Sequence, residues 1–64
     1  FFKGLIMEIV IKIVDGYGYL PIVLDEFGNV CRHGEYKNTA ADALNYCLTF
    51  IDESTSKGVI YDSH

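Results

Sequence analysis

The chain has 64 residues, half of them apolar, with five tyrosines, four phenylalanines and a formal charge of −4. A chain this short makes one domain, here taken as residues 1–64, and folding buries only about 60% of the unfolded surface. The apolar content excludes a disordered acidic chain. The charge opposes direct binding to nucleic acid, which depends on cations that neutralise phosphates.

The small size and the acidic charge both indicate protein partners. Self-association is one way in which so small a domain gains stability, so we expect a homodimer. An acidic surface also speeds encounter with a basic protein, although excess carboxylate by itself keeps a small domain soluble.

The location predicted from the sequence is cytoplasmic. Cys31 and Cys47 are too few for a disulfide framework, so we expect free thiols. The apolar stretch at residues 5–14 contains Glu8 and Lys12 and is shorter than the roughly 20 residues that span a bilayer. Those charges also make it a poor signal peptide, so neither export nor membrane contact is expected.

The first predicted element is a strand at residues 5–13. Its odd positions are all apolar, whereas the even positions include Glu8 and Lys12, and this alternation is typical of a half-buried strand. A glycine-rich turn at residues 15–18 then reverses the chain. A long apolar strand with a free edge invites pairing, so its edge is where we expect the dimer to form. Met7 is a candidate natural start, which would make residues 1–6 an added or upstream segment.

Two further strands are predicted at residues 19–24 and 30–33. Pro21 cannot donate a ladder hydrogen bond, which places it at an edge or a bulge, on the side of the sheet that is not extended. Between the strands, residues 25–29 form a turn whose glycine and asparagine tolerate left-handed backbone geometry.

One helix follows, and then a last strand at residues 59–61. Asn38 or Thr39 should cap the helix, with Asp42 completing a variant of the capping box. At about 100° per residue, one apolar stripe comprises Ala40, Ala43, Leu44, Cys47, Phe50 and Ile51. The predicted fold is therefore α+β, a small antiparallel sheet packed against one helix in the order β-β-β-α-β.

From Tyr19 onward, the sequence resembles the HicB-type antitoxin domain, which has a partial RNase H-like fold. The residues that match in order are Tyr19, Val23, Asp25, Gly28, Val30, Gly34, Glu35, Thr39, Asp42, Ala43 and Leu44. The sequence departs from the family pattern where Leu24 and Phe27 replace two turn prolines, where Asn29 replaces a cysteine, and where residues 36–38 are inserted. The resemblance implies a protein that binds and blocks a small basic toxin that cleaves RNA. Many members add a DNA-binding region, which this sequence does not show.

Structural roles explain the candidate reactive residues better than metal binding or catalysis does. Cys31 and His33, with Cys47 or His64, are soft ligands for zinc, but their spacing matches no known zinc motif. Cys31 and His33 as a catalytic pair would be splayed along a strand. Carboxylate pairs such as Asp25 with Glu26 fit turn and solvation roles. We therefore expect no enzyme activity, no metal and no cofactor.

The function predicted from these features is that of a non-enzymatic module that binds and neutralises a basic protein acting on nucleic acid, either as an antitoxin-like subunit or as a phage-type inhibitor. The alternatives are a structural accessory subunit of an oligomer, without an inhibitory role, and a small ligand-binding or metal-dependent domain. A basic cluster of Arg32, His33 and Lys37 offers a phosphate contact or local pairing with acids. The expected partner-binding residues are Asp25, Glu26, Phe27, Glu35 and Asp42.

Overall fold

A computed structural model describes residues 6–52 and 56–63. These residues form four strands and one helix, which confirms the α+β class and the order of elements. The elements are β1 (Met7–Val14), β2 (Gly18–Leu24), β3 (Val30–His33), α1 (Ala40–Leu48) and β4 (Ser56–Ser63).

The strands lie side by side in the order β3-β2-β1-β4. β2 pairs antiparallel with both β1 and β3, as predicted, whereas β4 pairs parallel with β1, so the sheet is mixed. The helix explains the parallel pair. It starts beside the beginning of β2 and returns the chain to the end of the sheet where β1 begins, so β4 must run in the same direction as β1.

β1 is therefore an internal strand, with β2 on one side and β4 on the other. The expectation that a dimer forms by pairing a free edge of the first strand is wrong, because both sides of β1 already form ladders. The edges of the described sheet belong to β3 and β4.

The last strand is longer than the three residues predicted. Gly58, expected to end the helical region, lies inside β4 with a φ of 135°. Its N–H donates to the Ser56 hydroxyl oxygen at 2.9 Å, at the point where the register with β1 shifts between Met7 and Ile9. A bulge at a glycine accounts for this irregularity.

The core lies between α1 and the two middle strands. Its fully buried apolar residues are Ile9, Ile11, Val23, Ala43 and Cys47, and Met7, Tyr19, Leu44, Leu48, Ile51 and Val59 pack around them. The alternation that predicted a half-buried β1 is thus confirmed, since Ile9 and Ile11 face the helix.

The helix begins as predicted and ends earlier. The Thr39 hydroxyl accepts the Asp42 N–H at 3.1 Å, which makes Thr39 the N-cap. The helix stops at Leu48, so the helical spacing that assigned Phe50 to the buried stripe no longer applies there. Phe50 is 42% exposed, and Leu48 packs against the core instead.

Pro21 lies in β2, which is an internal strand, so the expectation that it marks an edge on the side where the sheet is not extended is wrong. It lies opposite an irregular part of the neighbouring chain. Tyr19 exchanges hydrogen bonds of 2.9 and 2.8 Å with Lys37, and the Pro21 carbonyl accepts the Gly34 N–H at 3.1 Å. Residues 34–36 leave the regular ladder between these contacts, so the missing proline N–H disrupts no regular strand pairing.

We expect Ile11→Ala to lower the free energy of unfolding by about 2 to 5 kcal/mol, because it removes a large side chain that is 0% exposed. The matched control is Ile60→Ala on β4, where the side chain is 47% exposed and the cost should be about 1 kcal/mol or less. Urea unfolding followed by circular dichroism measures both. Equal losses would contradict the assigned core.

Candidate functional site

The turn between β2 and β3, residues 25–29, is held by one carboxylate. The Oδ1 atom of Asp25 accepts the N–H groups of Phe27 at 2.9 Å and Asn29 at 2.8 Å. The backbone closes the same turn, since the Asp25 N–H donates to the Asn29 carbonyl at 2.8 Å. Gly28 supplies the left-handed backbone, with a φ of 88°. We call this element the Asp25 turn.

The Asp25 turn displays an aromatic side chain beside an acid. Phe27 is 80% exposed, and Glu26 next to it is also exposed. Asp25 is half-buried, and one of its carboxylate oxygens serves the backbone, so its first role is to shape the turn. Of the predicted partner-binding residues, Glu26 and Phe27 are the two that this turn presents to solvent.

Glu35 and Asp42, the other two predicted partner-binding residues, lie outside the Asp25 turn. Asp42 is in the first turn of α1, close to Lys37, which pairs with Tyr19 at the start of β2. The Asp25 turn follows the end of β2, six residues further on, or about 20 Å at the usual rise of a strand. Glu35 lies in the connection from β3 to α1. The structure therefore brings Asp25, Glu26 and Phe27 together but places Asp42 at the opposite end of the sheet.

A second group of side chains, which the sequence reasoning missed, lies on the helix side of the sheet. The rings of Tyr46 and Phe50 meet edge to face with centres 5.0 Å apart. The Arg32 guanidinium carbon lies 4.1 Å from the centre of the Phe50 ring, and the Lys37 ammonium lies 5.2 Å from that of Tyr46. The spacing of Tyr46 and Phe50 by four residues was the available signal.

This arrangement separates the predicted basic cluster. Arg32 pairs with Val23, whose side chain is in the core, so Arg32 lies on the helix side of the sheet. His33, the next residue along β3, pairs with Ile22 and lies on the opposite side. The cationic groups of Arg32 and Lys37 lie over aromatic rings, and these cation–π contacts explain their positions without a bound phosphate.

A shallow groove of about 430 Å³ runs beside these rings. Its floor is fixed by Tyr46, whose hydroxyl donates to the His33 carbonyl at 3.4 Å and whose ring packs on Gly34. A Cβ at residue 34 would lie 2.7 Å from that ring, so the glycine makes the contact possible. The groove is lined by Tyr36, Lys37, Asn38, Asp42, Asn45, Tyr46 and Thr49.

The two cysteines lie in different environments. Cys31 is exposed, whereas Cys47 is buried in the core, where burial raises the pKa of its thiol. Among residues 6–52 and 56–63, no three potential metal ligands form a cluster. His64, considered as a ligand, lies outside the described residues.

The described part of the chain contains no helix that is both long and apolar enough to cross a bilayer. Comparisons with protein-family models, with curated proteins and with solved structures give no match to this chain.

We expect one thiol per native chain to react quickly with a disulfide reagent near neutral pH, and two after denaturation, because only Cys31 is exposed. Cys31→Ser should abolish the fast reaction. A raised pKa in the folded state means that the Cys47 contribution to stability is present below the pKa of the unfolded thiol, about 8.5, and is lost as the pH rises above it. Cys47→Ala should flatten that part of the pH profile of unfolding. Fast reaction of both thiols in the native chain would contradict the packing of Cys47.

We expect Asp25→Ala to cost about 1 to 3 kcal/mol of unfolding free energy, because two backbone N–H groups lose their acceptor. Glu26→Ala is the matched control and should stay within about 0.5 kcal/mol. Thermal unfolding of the two variants measures the difference. If both behave alike, the carboxylate of Asp25 does not hold the turn.

Proposed function

We propose that this chain is a non-enzymatic protein-binding module that neutralises a basic protein acting on nucleic acid, as an antitoxin-like subunit or a phage-type inhibitor. The observation that carries the proposal is the Asp25 turn, which holds Phe27 80% exposed beside Glu26. Single exposed aromatic side chains are common on protein surfaces, but Phe27 is held on a turn that the Asp25 carboxylate fixes, beside an exposed acid, and this combination suits contact with a basic protein. The proposal includes a cytoplasmic location and a homodimeric state.

Each residue of the turn has a distinct part in the proposed contact. Phe27 is the apolar anchor, and aromatic anchors contribute strongly to binding energy at interfaces. Asp25 positions it in advance, so little conformational entropy is lost on binding. Glu26, together with the charge of −4 on the whole chain, attracts a basic partner and speeds encounter. Glu35 and Asp42 contribute to that general field from outside the turn.

The resemblance to HicB-type antitoxins supports the antitoxin form of the proposal. Two of the matching residues, Asp25 and Gly28, are the ones that shape the turn, through its carboxylate acceptor and its left-handed backbone. Phe27 stands where the family has a proline, so this chain offers an aromatic contact there. The partner implied by the family, a small basic protein that cleaves RNA, has the charge that Glu26 would attract.

A second candidate function is that of a structural accessory subunit of an oligomer. The observation that favours it is the sheet face turned away from α1, where Val10 and Ile22 face outward and Ile60 is exposed. In that case Phe27 would complete an assembly of copies rather than bind another protein. The two functions differ in whether a foreign basic protein binds through Phe27.

We expect Phe27→Ala to weaken capture of a basic partner from a lysate of the source cells by about 10- to 100-fold, the range for loss of an anchor. The matched control is Tyr17→Ala, which removes a 70% exposed aromatic from the turn at the other end of β2. Glu26→Lys should slow association and flatten its dependence on salt, whereas Asp15→Lys, an equal charge change in that other turn, should do so less.

The captured protein should also lose its nuclease or nucleic-acid-binding activity when one equivalent of this chain is added. Inhibition that needs Phe27 and is indifferent to Tyr17 supports the proposal. Capture of self-copies alone, or inhibition unchanged by Phe27→Ala and Glu26→Lys, would defeat it and leave the structural function.

A further inference from the structure

The sheet has one face that α1 does not cover, and we call it the open face. Ladder partners on neighbouring strands share a face, so the register identifies its members. Val10 of β1 lies between Ile22 of β2 and Ile60 of β4, on the side opposite the buried Ile9 and Ile11. The apolar residues at the centre of the open face are Val10, Leu20, Ile22, Leu24 and Ile60, and the register adds Val14 near its edge and the exposed Val30 beside Leu24.

Two opposite charges flank the centre of this face along β1. Glu8 lies two residues before Val10, and Lys12 lies two residues after it, so both point to the open face. The same register places Leu24 beside Glu8, Leu20 beside Lys12, and Asp62 of β4 on the other side of Lys12. Along β1 and β2 the face is therefore nearly symmetric about Val10 in its apolar residues and reversed in its charges, whereas Asp62 adds a second carboxylate on β4.

We propose that a second copy of this chain packs on the open face about a two-fold axis that crosses β1 at Val10. The axis lies between the two sheets and perpendicular to β1, so the two β1 strands run in opposite directions. Glu8 of each copy then lies over Lys12 of the other, and Leu20 lies over Leu24. Val10, Ile22 and Ile60 each meet their own counterparts, as a closed two-fold interface requires.

The charges of Glu8 and Lys12 favour this orientation over the other face-to-face arrangement. An axis parallel to β1 would place Glu8 over Glu8 and Lys12 over Lys12 of the second copy. Like charges in contact are unfavourable, whereas the perpendicular axis converts both contacts into opposite pairs. The inference rests on the homodimer included in the proposed function and is independent of partner binding at the Asp25 turn.

The area of the open face determines how strong the proposed dimer should be. Four strands about 4.8 Å apart and about seven residues long give roughly 400 Å² per copy. A standard interface uses about 800 Å² per partner, so this dimer belongs to the weak, concentration-dependent class. Sedimentation equilibrium from about 10 µM to about 1 mM covers the matching range of dissociation constants. Over that range the mass should rise from 7.2 kDa towards twice that value.

Charge exchange tests the orientation. Glu8→Lys and Lys12→Glu should each weaken self-association about tenfold, because each places like charges in contact. A mixture of these two variants should dimerise at concentrations where each alone is a monomer. These variants are all made in a chain that also carries Asp62→Asn, because Asp62 lies beside Lys12 in the ladder and would repel a carboxylate at residue 12. The double variant Glu8→Lys with Lys12→Glu then restores opposite pairs between the copies and should dimerise like the Asp62→Asn parent. Recovery in the mixture and in the double variant also shows that the single variants fold.

Substitutions at two adjacent residues of β4 test whether the open face forms the interface. Ile60→Lys should abolish the dimer, whereas Tyr61→Lys, an equal change on the opposite face of the same strand, should leave it intact. Phe27→Ala should not alter the dimer, which separates this inference from the proposed partner binding.

A parent chain that stays monomeric at about 1 mM would overturn the proposal and would indicate another occupant of the face. A dimer that is unchanged by Ile60→Lys, or single charge variants that associate like the parent, would also overturn it by moving the interface elsewhere.

Discussion

The packing of one short helix on β1 and β2 is the contact on which the other features depend. Ala43 and Cys47 are the helix residues that enter the core against Ile9 and Ile11, and both are small, so the helix lies close to the sheet. A helix of nine residues is about 13 Å long and about 10 Å wide, whereas four strands extend across about 19 Å. It therefore covers the middle of one face and leaves the other face uncovered. Both surfaces proposed as functional lie outside the helix contact.

The direction of the helix decides which residues come together. Because α1 starts beside Lys37 and Tyr19 and runs towards the other end of the sheet, its N-terminal Asp42 is separated from the Asp25 turn by most of the length of β2. The chain just after the helix instead reaches β3, where Phe50 meets Arg32. The same direction makes β4 parallel to β1, since the chain returns to the end where β1 begins.

Much of this fold was visible in the sequence because local rules agreed with it. The alternation of apolar and polar residues in β1 indicates which side chains face the helix. Thr39 caps the helix through its own hydroxyl, as its residue type predicts. Phe50 was misplaced because helical spacing was extended beyond Leu48, where the helix ends. The sequence does not show that Phe27 and Asp42 lie far apart, because that distance depends on how the strands pair. The split between Arg32 and His33 was likewise set by ladder register.

The two proposed surfaces fit one assembly. In the proposed dimer, the two-fold axis that pairs Glu8 with Lys12 would reverse the strands and point the Asp25 turns of the two copies to opposite ends. Each Phe27 would then remain exposed, and two partners would bind without contacting each other, which would give a stoichiometry of two to two. The excluded orientation would place both turns at the same end, where two bound partners would compete for space. The charges that flank Val10 would thus determine both how the copies pair and how many partners the pair can neutralise.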